Sequence, residues 1–411
     1  MLTDRGRFAL ALGGATYLAG WAFGSRSLYP IALGLVLAVV AATLWVRLTA
    51  RPVRLKRSII GGDHVAGDDV TVRLELLFEG RLVPGSLEVV ERIERLGEPG
   101  VVLSRHEGRL IGEYVLAAVP RGRYPIEAAE AVIEDPFSLE RRAVVLDAPG
   151  ALLVHPRLVE LSGLFSETGS RSQDGRRLLM RRPSGFDLHN VREYEQGESL
   201  RRVHWPSTAK RGRLMVKDLE DSPRDEALVL LDADAGGVAG APPETSFELA
   251  VSAAGSILRA HAGRARRAAL VVNAAETRYQ PVHSIEADWG LALELLAAVQ
   301  PDGRNSVSSL LVDGAGAPSK ALEVCVVTCS LTARLAERLL QRAVTRRGAS
   351  VVYVDLASFA GGSSEQKPPT LDARAQIARL DHAGIPVCVL RRGDDLAEKL
   401  GAGIFAGEAV G

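Results

Sequence analysis

Two uncharged apolar stretches near the start of the chain place the strongest constraint on its fold. Phe8–Gly24 carries no charged side chain, and Leu28–Val46, which follows after a single arginine, carries none either. A helix that rises about 1.5 Å per residue needs about 20 apolar residues to cross the ~30 Å hydrocarbon layer of a bilayer, with about 17 as the lower limit. The second stretch meets this length comfortably and the first only just. The sequence therefore predicts a two-helix transmembrane hairpin over residues 1–50.

A signal peptide is the alternative explanation of the first stretch, because a basic start precedes its apolar middle. No clear small-x-small cleavage site follows, however, and a second span begins within a few residues. The joining loop carries only Arg26, whereas basic residues cluster outside the two stretches: Arg5, Arg7, Arg47, Arg51, Arg54, Lys56 and Arg57. The positive-inside rule then places both ends of the hairpin in the cytoplasm. We expect a two-span protein of the cell membrane, with the lipid bilayer as one partner and the bulk of the chain cytoplasmic.

The composition excludes several classes of protein. Of the 411 residues, 47% are hydrophobic and 24% charged, which are values of a globular chain rather than a disordered one. The 50 basic residues balance the 50 acidic ones, which argues against a general nucleic-acid-binding protein. Three cysteines cannot form a disulfide framework. Many alanine, arginine and glycine residues and few lysines are typical of a bacterium with a GC-rich genome.

Residues 51–150 follow a different pattern, in which apolar and polar side chains alternate. In Asp69–Glu79 an apolar side chain occupies every second position from Val70 to Phe78, as in a half-buried strand. Further candidate strands are separated by glycine and proline turns: Leu87–Ile93, Arg109–Ala117, Tyr124–Ile133 and Leu139–Leu146. Short strands with regular turn signals predict an all-β sandwich of immunoglobulin-like type. Since it lacks a catalytic pattern, we expect this domain to be a rigid spacer.

Residues 151–225 contain the most informative part of the chain, a dense basic segment. Between Arg171 and Arg224, 13 residues are lysine or arginine and 8 are aspartate or glutamate. This pattern does not fit an amphipathic helix. It predicts an extended region with turns, in which planar arginine side chains pair with carboxylates.

Six short motifs follow one another in this segment: Gly185-Phe-Asp187, Arg192-Glu-Tyr194, Gly197-Glu198, Arg201-Arg202-Val-His-Trp205, Ser207-Thr-Ala209-Lys210 and Leu214-Met-Val216-Lys217-Asp-Leu-Glu220. Together they resemble the signature of the bacterial domain of unknown function 58 family. The chain departs from the usual pattern at Glu198, where aspartate is more usual, and at Pro206, where a lysine is common. Pro206 has no backbone N–H and no charge, so it lacks the donors that a lysine would offer a ligand there.

The signature has two interpretations. In the first it is an internal clasp, in which Trp205 is buried as an anchor and arginines pair with acidic residues of the same segment. In the second it is a docking surface for another protein or an anionic ligand. Its residues are Asp187, Arg192, Tyr194, Gly197, Arg201, Arg202, Trp205, Lys217 and Glu220. Neither interpretation requires catalysis, because no nucleophile–base pair is visible.

The resemblance also implies an architecture and a partner. It implies a two-span N-terminus, a β-sandwich with the turn Asp135-Pro136-Phe137, the signature and then an α/β domain. Proteins of this family are commonly encoded beside MoxR-type AAA+ ATPases, which implies a role in assembling or remodelling membrane or envelope complexes. The family itself carries no agreed activity, and a fold alone does not define one.

Residues 226–411 alternate short apolar strands with helices, which predicts a doubly wound, mostly parallel sheet. Ligands of such folds bind beyond the carboxyl ends of the strands. The first strand ends Asp232-Ala-Asp234-Ala-Gly236. This resembles the von Willebrand factor A domain, whose first strand ends D-x-S-x-S and whose Asp and hydroxyl groups hold a divalent cation together with a Thr and a further Asp.

The chain departs from that pattern at several ligands. Asp234 stands in place of the first serine and Gly236 in place of the second, while Val327–Ser330 lacks the later aspartate. The resemblance implies at most weak Mg²⁺ binding by Asp232 and Asp234, a degenerate site. The alternative is that Asp232 hydrogen-bonds a loop. Since no glycine-rich nucleotide loop is present, no other cofactor is expected.

The function that we expect is that of a non-enzymatic, membrane-anchored interaction or scaffold protein acting with a MoxR-type AAA+ ATPase. The alternative is a divalent-metal-dependent ligand-binding module that uses Asp232 and Asp234. A third hypothesis, an envelope hydrolase, needs a nucleophile that the sequence does not offer. The sequence leaves the client and the oligomeric state open.

Overall fold

The computed structural model describes most of the chain: residues 1–49, 54–77, 86–106, 109–168, 187–193, 205–220, 227–264, 266–312, 318, 321–345, 347–359 and 371–401. The chain divides into two compact units, Met1–Arg157 and Leu158–Gly411.

A helical hairpin opens the first unit. Helix α1 (Asp4–Phe23) begins after Thr3, whose hydroxyl oxygen accepts a hydrogen bond from the Gly6 amide at 3.1 Å. It ends at Gly24, where φ is +66° and a side chain would be strained. Helix α2 (Leu28–Thr49) is the described helix that is long and apolar enough, by length and composition, to cross a membrane. One apolar helix near the N-terminus, α2, is therefore confirmed as long enough to span a membrane. A second span, formed by α1, stays a prediction.

The two helices pack along faces that repeat every seven residues. Gly13 and Gly20 of α1 are buried against α2, and Ala32, Val39 and Val46 are buried with the same spacing on α2. A Cβ atom at Gly13 would lie 3.4 Å from the Cβ of Leu35, whereas one at Gly14 would meet no described atom within 4 Å. Glycines at such positions let helix backbones approach closely.

Gly13→Leu and Gly14→Leu form a matched pair that tests this interface. A leucine at position 13 has to displace Leu35 and push the helices apart, and overpacking of this kind costs about 1–3 kcal/mol. A leucine at position 14 faces away from α2, so the hairpin should be unchanged. The measurement is the distance between spin labels at the exposed Leu12 and Leu33. A longer and broader distance is expected only for Gly13→Leu, and equal effects of both changes would contradict the packing.

The rest of the first unit consists of short strands: β1 (Arg54–Ile60), β2 (His64–Val65), β3 (Val70–Leu77), β4 (Ser86–Val90), β5 (Gly100–Val102), β6 (Ser104–His106), β7 (Arg109–Leu116), β8 (Gly122–Ile126), β9 (Ala129–Glu134), β10 (Arg141–Leu146) and β11 (Gly150–His155). They form sheets of order β1-β3-β7-β6, β10-β9-β4-β5 and β2-β11-β8.

The two four-stranded sheets share one apolar core. The alternation of β3 holds, because Val70, Val72, Leu74 and Leu76 are all buried, and these side chains belong to the same cluster as Ile133 of β9. The candidate strand over 124–133 is in fact two strands, β8 and β9, separated by residues 127 and 128. The all-β character is therefore observed, and the immunoglobulin-like type stays a prediction.

A buried carboxylate joins the two sheets. Glu91, which follows β4, is fully buried. Its Oε1 accepts a hydrogen bond from Arg57 Nε of β1 at 2.8 Å, and its Oε2 accepts one from the Tyr114 hydroxyl of β7 at 2.6 Å. Burial, together with this bond to Glu91, raises the pKa of Tyr114. Each group of the network therefore has a partner that offsets its removal from water.

Glu91→Ala and Glu113→Ala compare this buried pair with an exposed one. Glu113 pairs with Arg73 at the surface at 2.5 Å. Removing Glu91 leaves Arg57 buried without its carboxylate, and such changes cost about 3–5 kcal/mol. Removing an exposed partner costs about 1 kcal/mol or less. Native-state hydrogen exchange of the β4 and β7 amides should show this difference. Similar exchange in both variants would argue that the network does not stabilise the unit.

The second unit is built around a six-stranded sheet. Its elements are α3 (Phe165–Thr168), β12 (Asp187–Glu193), α4 (Trp205–Arg211), β13 (Met215–Glu220), β14 (Ala227–Asp232), β15 (Gly240–Ala241), β16 (Glu244–Thr245), α5 (Ser246–Gly263), β17 (Ala268–Asn273), β18 (Thr277–Val282), α6 (Trp289–Ala298), β19 (Glu323–Thr328), α7 (Ala333–Val344), β20 (Gly348–Val354), α8 (Leu371–His382), β21 (Val387–Leu390) and α9 (Leu396–Leu400).

The sheet has the order β18-β17-β14-β19-β20-β21, and only the edge strand β18 is antiparallel to its neighbour among these six strands. Successive side chains of β14 enter two different cores. Val229 and Leu231 lie in the cluster of Phe247 of α5, and Leu230 lies in the cluster of Leu335 of α7. Helices thus cover both faces, which explains why the strands are continuous apolar runs. The von Willebrand factor A type of this unit stays a prediction.

Candidate functional site

Three neighbouring strands of the six-stranded sheet end in polar side chains that meet at its carboxyl edge. Asp232 ends β14, Asn273 ends β17 and Thr328 ends β19, and all three are buried. Asn273 Nδ2 donates a hydrogen bond to Asp232 Oδ1 at 3.0 Å, and Thr328 Oγ1 donates one to Asp232 Oδ2 at 2.8 Å. Because ligands of open α/β sheets bind at this edge, the cluster is the first candidate site.

The surroundings of Asp232 act on its carboxylate in opposite directions. Burial raises the pKa of Asp232, and the hydrogen bonds from Asn273 and Thr328 oppose that rise. Asn273 Nδ2 also donates to the Asn305 carbonyl at 2.8 Å, and Thr328 Oγ1 accepts from the Ser330 amide at 2.9 Å. The cluster therefore joins the central strand to both neighbouring strands and to the loops that follow.

Asp234, the second predicted metal ligand, has a different partner. Its Oδ1 accepts a hydrogen bond from the Gly236 amide at 3.1 Å and caps a short 3₁₀ turn, Ala235–Gly237. Gly303 packs closely against this strand end, since a Cβ atom there would lie 2.8 Å from the carbonyl oxygen of Ala233. Asp232 and Asp234 are thus close in sequence, but their side chains are bound to separate partners.

The donor set at this edge fits a divalent cation only in part. Such cations take six or more oxygen ligands, several of them carboxylates in most sites. Within the described ranges, no group of three or more His, Cys, Asp or Glu side chains is placed to hold a metal ion. Oδ1 of Asn273 is buried and has no hydrogen-bond partner in the described part of the chain, so it offers a further oxygen.

The described part of the signature forms a two-stranded antiparallel ribbon. β12 and β13 pair so that Asp187 lies opposite Glu220 and Arg192 lies opposite Val216, and Lys217 is the next residue of β13. The expected extended structure is therefore observed over these strands. The remaining signature residues lie outside the described residues: Tyr194, Gly197, Arg201 and Arg202.

Trp205 is the first residue of α4, and its side chain is 65% exposed. The helix is attached to the ribbon by a different residue, since Thr208 Oγ1 accepts a hydrogen bond from the amide of the buried Met215 at 3.0 Å. Lys210 and Arg211, at the end of the same helix, are also exposed. The clasp interpretation required a buried Trp205, and it is wrong on that point. An exposed indole on a helix that also carries exposed basic residues is what a docking surface requires.

The cysteine thiols are unsuited to nucleophilic chemistry. Cys325, Cys329 and Cys388 are all buried, as expected of core thiols. Burial raises the pKa of each of them to about 12. Since the thiolate is the reactive form, these side chains are inert at neutral pH.

The described chain thus combines an apolar N-terminal helix, several sheets and an α/β unit. The family described as "Protein of unknown function DUF58" matches residues 190–358. The uncharacterized protein YeaD of Bacillus subtilis (strain 168) is 24% identical over 283 residues, which cover 67% of this chain and 69% of that protein. These findings support the resemblance inferred from the motifs over that range.

Solved structures resemble this chain only weakly. Cwp6 from Clostridium difficile has a TM-score of 0.18 and 8% identity, over 73% of this chain and 37% of that chain. A conjugative transposon lipoprotein from Bacteroides eggerthii DSM 20697 has a TM-score of 0.15 and 17% identity, over 24% of this chain and 97% of that chain. At these scores the likeness carries no inference about fold or function.

Thr328→Val and Asp234→Ala distinguish the roles of the two aspartates. Thr328→Val leaves Oδ2 of the buried Asp232 without its donor, which should cost about 1–3 kcal/mol. Asp234→Ala removes only a cap from a partly exposed turn, which should cost less than about 1 kcal/mol. Hydrogen exchange of the β14 and β19 amides reports both. A larger effect of Asp234→Ala would show that the carboxyl edge is held together differently.

Proposed function

We propose that this chain is a non-enzymatic scaffold of the bacterial cell membrane, which docks a MoxR-type AAA+ ATPase through its signature segment. The exposed side chain of Trp205, at the start of a helix that ends with the exposed Lys210 and Arg211, carries the proposal. Tryptophan and arginine are enriched among the few residues that supply most of the binding energy at interfaces. The choice of partner follows from the resemblance to the domain of unknown function 58 family, and so does the role in assembling or remodelling membrane or envelope complexes.

The membrane topology is part of this proposal. α1 and α2 both cross the bilayer in it, and the packing of Gly13 and Gly20 of α1 against α2 supports a hairpin in which both outer ends lie on one side. Basic residues flank those outer ends, which favours the cytoplasmic side for them and for the rest of the chain. A reporter that is active only in the cytoplasm should be active when fused to the C-terminus. A reporter that is active only outside the cytoplasm should be inactive there.

Two features of the α/β unit support a role without catalysis. Both carboxylate oxygens of Asp232 accept hydrogen bonds from side chains of the neighbouring strands, which gives this carboxylate a structural role between the strands. The raised pKa values of the thiols keep them protonated. This unit therefore acts as a folded platform for the signature.

Binding of the ATPase by the full-length protein in nanodiscs tests the docking surface. Trp205→Ala should weaken binding of a purified MoxR-type ATPase from the same organism by about 30-fold or more, as expected of a central interface residue. Tyr279→Ala, which truncates another exposed aromatic side chain of the same unit, should leave the affinity within about twofold. Equal affinities for both variants would reject the surface, and the absence of binding by the native protein would reject the partner.

A second candidate function is a divalent-metal-dependent ligand-binding module of von Willebrand factor A type. The unpartnered Oδ1 atom of Asn273, buried beside Asp232, favours it. Calorimetry with Mg²⁺ or Mn²⁺ should then give heat that is lost in Asp232→Ala. The absence of heat at millimolar metal, or the same heat in Asp232→Ala, would exclude this function.

A further inference from the structure

One turn of the all-β part is fastened to the first residues of the chain. This turn, residues 135–140, precedes β10. The Thr3 amide donates a hydrogen bond to the Leu139 carbonyl at 3.0 Å, and Thr3 Oγ1 donates one to the Ser138 carbonyl at 2.6 Å. A Cβ atom at Gly6 would lie 2.1 Å from the Leu139 carbonyl oxygen, so the contact requires glycine there. The turn is thus attached to the first turn of α1.

The same turn holds a large apolar ring in an exposed position. The buried carboxylate of Asp135 accepts hydrogen bonds from the amides of Phe137 at 2.9 Å, Leu139 at 2.7 Å and Glu140 at 2.7 Å. The backbone is therefore fixed by its own hydrogen bonds. The Phe137 side chain is nevertheless 74% exposed. The hydrogen-bonded turn therefore presents an exposed aromatic ring at a fixed position.

Helix geometry sets the depth of the turn once the hairpin spans a bilayer. Thr3 and Phe8, the first residue of the uncharged stretch, are five residues apart, or about 7.5 Å along the helix axis at 1.5 Å per residue. A bilayer is about 40–45 Å thick with its headgroups and about 30 Å without them, which leaves about 5–7.5 Å of headgroup layer on each side. A turn bonded to Thr3 and packed on Gly6 therefore lies at headgroup depth.

The charges around the turn match an anionic surface. Four arginines here are exposed: Arg5 and Arg7 at the start of α1, and Arg141 and Arg142 at the start of β10. Two acidic groups nearby have cationic partners, since Glu140 binds the N-terminal ammonium group at 2.8 Å and Asp4 pairs with Arg7 at 3.4 Å, while the buried Asp135 is held by backbone amides. Basic side chains near an anionic leaflet are attracted to it.

We propose that the turn 135–140 is a membrane contact, in which Phe137 inserts at the headgroup–acyl boundary while Arg141 and Arg142 face anionic headgroups. The inference rests on the proposed membrane hairpin. Aromatic rings favour this boundary, and exposed apolar surface combined with arginine is the composition of interfacial segments. The contact holds the all-β part against the bilayer, in addition to the connection through α2.

Spin labels on the full-length protein test this contact. The three native cysteines are buried, so cysteines introduced at the surface are labelled selectively. Phe137→Cys reports the turn. Val102→Cys is the matched control, because Val102 is 64% exposed on β5, at the opposite edge of the sheet from β10. Leu37→Cys, at a 55% exposed position in the middle of α2, reports the span itself.

The measurement is the ratio of collision rates with oxygen and with a water-soluble nickel chelate, in nanodiscs of phosphatidylcholine and phosphatidylglycerol. We expect the ratio at position 137 to be several-fold higher than at 102 and lower than at 37. A water-like ratio at 137 together with a lipid-like ratio at 37 overturns this inference and leaves the anchor intact. A water-like ratio at 37 overturns the membrane hairpin, and the inference with it.

Discussion

The α/β unit depends on the carboxylate of Asp232, a charged group buried at the end of its central strand. A carboxylate taken out of water without partners destabilises a protein by several kcal/mol. Here the two partners, Asn273 and Thr328, come from the strands on either side. A slip of one residue in either strand would remove a donor and also exchange the two buried faces of that strand. The polar contacts at one edge and the two apolar cores therefore specify the same register.

Buried acidic groups have the same role in the first unit. Glu91 links the two four-stranded sheets through Arg57 and Tyr114, and Asp135 orders the turn that bears Phe137. In all three cases the carboxylate accepts hydrogen bonds from donors of its own unit. The non-enzymatic role that we propose uses side chains at the surface instead.

The sequence predicts those parts of the structure that have a local pattern. The alternation in β3 and the continuous apolar runs of β14 and β17 identify strands, because one or both faces of each are buried. β18 has no such pattern, since this edge strand is largely polar at its start and contains a proline. Asn273 was not predicted as part of the site either. It lies beside Asp232 because β17 is the neighbour of β14 in the sheet, and the sequence does not show which strands are neighbours. The exposure of Trp205 depends on tertiary packing, and a signature motif does not reveal it.

The distribution of charge connects the two surfaces that we propose. The chain as a whole is neutral, yet basic residues exceed acidic ones in the signature segment and around the ends of the first two helices. A chain with balanced charge is not attracted to polyanions in general. Its local basic regions still produce a positive electrostatic potential at those two surfaces. Anionic lipid headgroups match the basic residues near Phe137, and an acidic face on a docking partner would match those near Trp205. Since such fields act mainly on association rates and orientation, the aromatic rings must supply most of the affinity at both surfaces.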